Sequence, residues 1–65
     1  MSVTTAGRLR DTRRAAGWTQ AELAERAGVA PRRLSRLEHG ARPAPNVALS
    51  LARALDVHFA EERIR

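Results

Sequence analysis

Residues 20–39 read QAELAERAGVAPRRLSRLEH, two short helical patterns joined through a glycine. In the first, Leu23, Ala24 and Ala27 recur on one side at helical spacing. Gly28 interrupts the pattern, supplying a residue without Cβ where the backbone must turn left-handed. The second pattern resumes at Pro31, with Leu34 and Leu37 inward and Arg32 and Arg36 outward. Such a pair is a helix-turn-helix, and its second helix can enter the major groove of DNA.

The charge of the chain is placed to match. All 12 of its Lys+Arg residues are arginine and the net charge is +5. Residues 1–42 hold Arg8, Arg10, Arg13, Arg14, Arg26, Arg32, Arg33, Arg36 and Arg42 against Asp11, Glu22, Glu25 and Glu38, whereas residues 43–65 are neutral. The whole excess therefore lies with the helix-turn-helix and the helix before it. A localised basic face suits a polyanion, because neutralising phosphates releases condensed counterions. A GC-rich genome would explain arginine in place of lysine, but not its one-sided placement.

Size and composition narrow the function classes. The 65 residues make one domain, 1–65, with a modest core and little room to enclose a deep substrate pocket. With no cysteine there is neither a disulfide framework nor a Cys-based zinc site. His39 and His58 are too few and too far apart for a metal cluster, so no metal or cofactor is expected. No run approaches the roughly 18 apolar residues of a membrane span, and no apolar signal follows Met1, so a soluble cytoplasmic protein is expected. Glu61 and Glu62 are adjacent and diverge on a helix, and there is no Ser, His and Asp set and no glycine-rich phosphate loop. The chain does not read as an enzyme.

The fold class is all-α. A first helix runs from about Ala6 to Ala16, capped by Thr4 or Thr5 and ended by Gly17. The second opens on Thr19-Gln-Ala-Glu22, a capping-box spacing, and ends at Ala27. The third spans Pro31 to His39, with proline where no amide hydrogen is needed, and stops at Gly40. Ala41-Arg-Pro-Ala-Pro45 reads as a turn. A fourth helix covers about Asn46 to Leu55, with Val47, Leu51 and Leu55 aligned. A last turn or short fifth helix follows from Phe59 to Arg65. The expected core is Leu9, Ala16, Trp18, Leu23, Ala24, Ala27, Val29, Leu34, Leu37, Leu51, Ala52, Leu55, Val57 and Phe59, with His58 on the surface. Trp18 lies between two apolar helical faces and reads as core, not as a stacking platform.

From about Gly7 to Phe59 the chain resembles the Xre/Cro-type, lambda repressor-like helix-turn-helix family. The likeness rests on Arg8-Leu9-Arg10, Arg13 and Gly17, then Thr19-Gln20, Glu22-Leu23-Ala24 and Ala27-Gly28-Val29. It continues through Leu34-Ser35-Arg36-Leu37-Glu38, Gly40 and Pro43 to Leu51-Ala52, Ala54-Leu55 and Val57. The resemblance implies a compact bundle of four or five helices in a bacterial or phage cytoplasmic, nucleoid-associated protein. It also implies a homodimer that binds an inverted-repeat operator as a regulator, in most cases a repressor. Three features depart from the family pattern. Ala30 stands where the family commonly has a Ser or Thr cap, the turn from Gly40 to Pro43 is one residue shorter, and the ending is polar except for Ile64.

Helix geometry sorts the contacts. Arg32, Ser35 and Arg36 cluster opposite Leu34 and Leu37, with Arg33 on the flank. Arginine can donate two hydrogen bonds to guanine O6 and N7, worth about 1–3 kcal/mol of discrimination, so Arg32 and Arg36 read as base contacts. Arg33 is divided between a base and a phosphate, and a face making phosphate contacts alone is the plainer alternative. The resemblance implies a phosphate contact for Gln20, at a helix end whose amides favour anions. Thr19, Arg42 and Arg8 or Arg10 are further phosphate candidates. It also implies an internal ion pair between Arg13 and Glu38, and Arg13 does fall on the side of Leu9 and Ala16. Leu49, Val57, Phe59 and Ile64 are the candidate dimer contacts. A competing reading is an antitoxin-like module that binds a partner protein first and DNA second. A nonspecific RNA binder ranks last, for want of an exposed aromatic platform.

Overall fold

The structure, a computed structural model, describes the backbone of residues 6–64 and the side chains of residues 6–63. The described residues form four helices, α1 (Ala6–Ala15), α2 (Gln20–Ala27), α3 (Pro31–Glu38) and α4 (Pro45–Ile64). The expected cap of α1, Thr4 or Thr5, lies outside the described residues. At α2 the capping box is complete. The Thr19 hydroxyl accepts from the Glu22 amide at 3.1 Å, and the Glu22 carboxylate accepts from the Thr19 amide at 3.0 Å. The Thr19 backbone N–H, followed by its hydroxyl, holds the Glu22 carboxyl below its ordinary pKa.

Gly28 ends α2 at φ +69°, and the amide of Val29 turns back to the Ala24 carbonyl at 2.9 Å. A Cβ there would meet nothing within 4 Å, so it is the backbone angle that calls for glycine. Ala30 contributes no side-chain cap to α3, and Pro31 begins the helix unaided. At the far end His39 caps α3. The imidazole Nδ1 donates to the Ser35 carbonyl at 2.7 Å, and Gly40 follows at φ +108°.

The last third of the chain differs from the expectation. In place of a ten-residue helix and a short fifth one, α4 is one continuous helix of 20 residues. Asp56 and Val57 are weak helix formers, but neither breaks a helix, and no glycine or proline lies between Asn46 and Arg65. Pro45 belongs to the helix and not to the turn. It sits at the first position, where it has no amide to satisfy, and the Ala48 amide reaches back to the Ala44 carbonyl at 3.0 Å.

Leu9, Trp18, Leu23, Ala24, Leu34, Leu37, Val47, Leu51 and Leu55 form the buried core, with Ala16, Ala27, Val29, Ala54 and Phe59 packed against it. α4 packs on α2, while α3 packs on α2 and α1. Val57, expected inside, is 57% exposed, and Ala52 is half-buried outside the cluster. His58, expected on the surface, is half-buried, with ring centroids 4.6 Å from Trp18 and 5.2 Å from Phe59. The unbroken helix accounts for Val57 and His58. It brings His58 round onto the face of Leu51, seven residues earlier, and turns Val57 away.

Candidate nucleic-acid interface

Leu34 (0% exposed) and Leu37 (3%) fasten α3 to the core, which leaves Arg32, Arg33 and Arg36 exposed and Ser35 half-buried on the outer side. Among the described residues no carboxylate comes within 4.0 Å of these three guanidinium groups. Their charge is therefore uncompensated locally. Arg33 and Arg36 share a cleft with Arg42 from the turn after α3, floored by Leu37, Pro43 and Val47. Three cations from two segments thus converge beside the outward face of one short helix.

Behind that face lies a buried polar network. Arg13, near the end of α1, donates from Nε to Glu38 Oε2 at 2.7 Å and from Nη2 to Glu38 Oε1 at 2.9 Å. Its remaining Nη1 donates to the Trp18 carbonyl at 2.8 Å. Glu38, only 2% exposed, also accepts from Gln20 Nε2 at 3.1 Å, while Arg10 Nη2 donates to its backbone carbonyl at 3.0 Å. Burial pushes the Glu38 carboxyl up. The hydrogen bonds from Arg13 and Gln20 and the charges of Arg13 and Arg10 outweigh it, so the net direction is down. The hydrogen bonds to Glu38 raise the pKa of Arg13 against the opposing effect of burial. A two-pronged arginine–carboxylate pair fixes orientation as well as distance. It ties the end of α3 to α1, and through Gln20 to the start of α2.

The candidate phosphate contacts are spread around this frame. Arg8, Thr19 and Arg42 are exposed, Gln20 is half-buried against Glu38, and Arg10 is partly engaged at the end of α3. Of the candidate dimer contacts, Leu49 (53% exposed) and Val57 are open on α4, whereas Phe59 packs on the core. The side chain of Ile64 lies outside the described residues. Among the contacts the sequence does not display are Gln20 with Glu38, Arg10 with the Glu38 carbonyl, and Arg26 lying 4.7 Å over the Trp18 ring. None has a local signal, since each joins different parts of the fold.

A family model described as Helix-turn-helix matches residues 9–61. The chain belongs to the Xre/lambda repressor-like helix-turn-helix family. No curated protein and no solved structure matches it significantly. This Xre-type chain is a double-stranded DNA-binding domain of the transcription-regulator class, and the family is regulatory, not catalytic. Within the Xre-type frame α2 and α3 are the two helices of the motif, and the exposed arginines lie on the second. No helix among the described residues is long and apolar enough to cross a membrane.

Proposed function

We propose that this domain recognises a specific DNA sequence by seating α3 in the major groove. The observation that carries the reading is the outer face of α3, with three exposed guanidiniums that have no carboxylate partner among the described residues, on a helix clamped from behind. An eight-residue helix is about 12 Å long, comparable to the width of the groove. Arg32 and Arg36 donate to O6 and N7 of guanines, Ser35 lies between them, and Arg33 is shared between a base edge and a phosphate. Thr19, Gln20, Arg42 and Arg8 hold the backbone. Arg10, tied to the Glu38 carbonyl, has fewer N–H groups to spare. These phosphate contacts set affinity and register but carry no sequence information.

The functional unit in this reading is a homodimer of the single domain 1–65 on an inverted repeat, with half-sites about 34 Å apart. Leu49 and Val57 supply the apolar contact between copies. The regulator acts in the cytoplasm as a repressor, by occupying its operator, and requires no cofactor.

The test is in vitro selection from random duplex DNA with the wild type and with Arg32→Ala/Arg36→Ala. Enrichment of an inverted repeat containing guanines, abolished in the double variant, is expected. Binding without enrichment would reduce the arginine face to phosphate contact and turn attention to a protein partner.

A further inference from the structure

Gln20 reaches two ways at once. Its backbone starts α2, at the end where a phosphate is expected, while its side chain is hydrogen-bonded to Glu38, the most deeply buried charged group among the described residues. We infer that Glu38 is a positioning residue for DNA binding, acting through Gln20 by fixing which way its amide points. This rests on the proposal above that Gln20 meets a phosphate.

Donors and acceptors decide the orientation of the amide. An ionised carboxylate can only accept, so the Gln20 amide must turn its nitrogen toward Glu38, and the 3.1 Å contact is from Nε2 to Oε1. Glu38 stays ionised because Arg13 grips both of its oxygens. Oε1 is thus shared between Arg13 and Gln20, which couples the amide to the ion pair. Nε2 carries two hydrogens. With one committed to Glu38, the other is held in a set direction, about 120° away, in place of sweeping through the rotamers of a free glutamine. A phosphate then meets a donor whose ordering entropy has already been lost on folding.

Replacing Glu38 alone would strand Arg13, so the pair is exchanged together. In Arg13→Met/Glu38→Leu an apolar pair fills similar space, a change that buried ion pairs often tolerate. Duplex DNA affinity is measured on the selected site for the wild type, Gln20→Ala, the pair exchange and the triple variant, below the melting temperature of each. The expected result is a loss of about tenfold for Gln20→Ala in the wild type, the scale of one hydrogen bond to a charged group, and almost none in the pair-exchanged background. An equal loss in both backgrounds overturns the inference and leaves Glu38 as part of the frame only. Absence of DNA binding by the wild type would instead overturn the reading on which it rests. A second measurement requires no substitution. The Gln20 side-chain amide protons should be exchange-protected and displaced from free-glutamine chemical shifts in the free protein, and should shift again on adding the DNA. Unprotected signals at free-glutamine positions overturn the inference even if every variant unfolds.

Discussion

Arg13→Ala should destabilise the domain far more than Arg14→Ala, its neighbour in α1. The side chain of Arg13 is 11% exposed and that of Glu38 only 2%, so removing the guanidinium leaves a carboxylate in the interior without its cation. The penalty has a ceiling, because Glu38 can escape it by taking a proton. At pH 7 that costs a carboxyl of ordinary pKa, about 4.3, roughly 4 kcal/mol. The surviving hydrogen bond from Gln20 lowers the cost, which places the expected loss at about 2–4 kcal/mol. In a chain of this length that is a fall of roughly 10–30 °C in Tm, and a large share of the total stability. Arg14 is exposed, and its loss should stay within about 0.5 kcal/mol. The gap should also depend on pH. In the wild type the folded-state pKa of Glu38 is depressed, so its contribution is complete above the ordinary carboxylate value and is lost as pH falls through the folded one. In Arg13→Ala the same carboxyl is raised by burial, so its penalty fades on acidification. The fading penalty of the variant narrows the gap between pH 7 and pH 4, and the loss of the wild-type contribution closes it further only below the ordinary carboxylate value. Thermal melts followed by circular dichroism at the two pH values read this directly. Equal melting temperatures for the two variants at pH 7, or a gap indifferent to pH, would refute the reasoning.

Gly28→Ala should cost about 1–2 kcal/mol through the left-handed backbone alone, with no clash at the new methyl, and Gly28→Asn should cost less; urea denaturation checks both. Thr19→Ala removes half of the capping box and should lower stability by about 1 kcal/mol in the same assay. Arg42→Ala should weaken binding to all duplexes alike and reduce the slope of log affinity against log salt by about 0.9 per domain, as read by fluorescence anisotropy across a salt series. Val57→Asp should leave the melting temperature nearly unchanged, the position being exposed, but shift sedimentation equilibrium toward the monomer.

What could be read from the residues alone follows the range of the interaction. The Thr19–Glu22 box, the Gly28 turn and the proline start of α3 are decided within four residues, and the sequence displays them directly. The arginine face of α3 is equally legible, because Leu34 and Leu37 dictate which side is left outside. α4 was harder. Phe59 continues the Val47–Leu51–Leu55 stripe at i+4, but Asp56 and Val57 are weak helix formers and the residues beyond Phe59 are mostly charged, which on propensity alone favours a break after Leu55. The misplacement of Val57 and His58 followed from that single break. The polar network is the least legible part. A family resemblance brings Arg13 and Glu38 to notice, but the hydrogen bond from Gln20 crosses 18 residues of sequence and that from Arg10 crosses 28. Such contacts exist only once α1, α2 and α3 have docked. The DNA-reading roles proposed for Arg32, Arg33, Ser35 and Arg36 rest on the outward placement of that face and on the lack of a carboxylate within 4.0 Å of its arginines among the described residues, and a measurement on DNA tests them.

The most direct such measurement replaces guanine by 7-deazaguanine, one position at a time, in the site recovered by selection. This removes the N7 acceptor and leaves Watson–Crick pairing intact. If Arg32 and Arg36 read guanines, the wild type should lose about 1–3 kcal/mol at two positions of each half-site, and Arg32→Ala and Arg36→Ala should each become insensitive at one of them. Unchanged affinity at every guanine would contradict base reading by the arginine face.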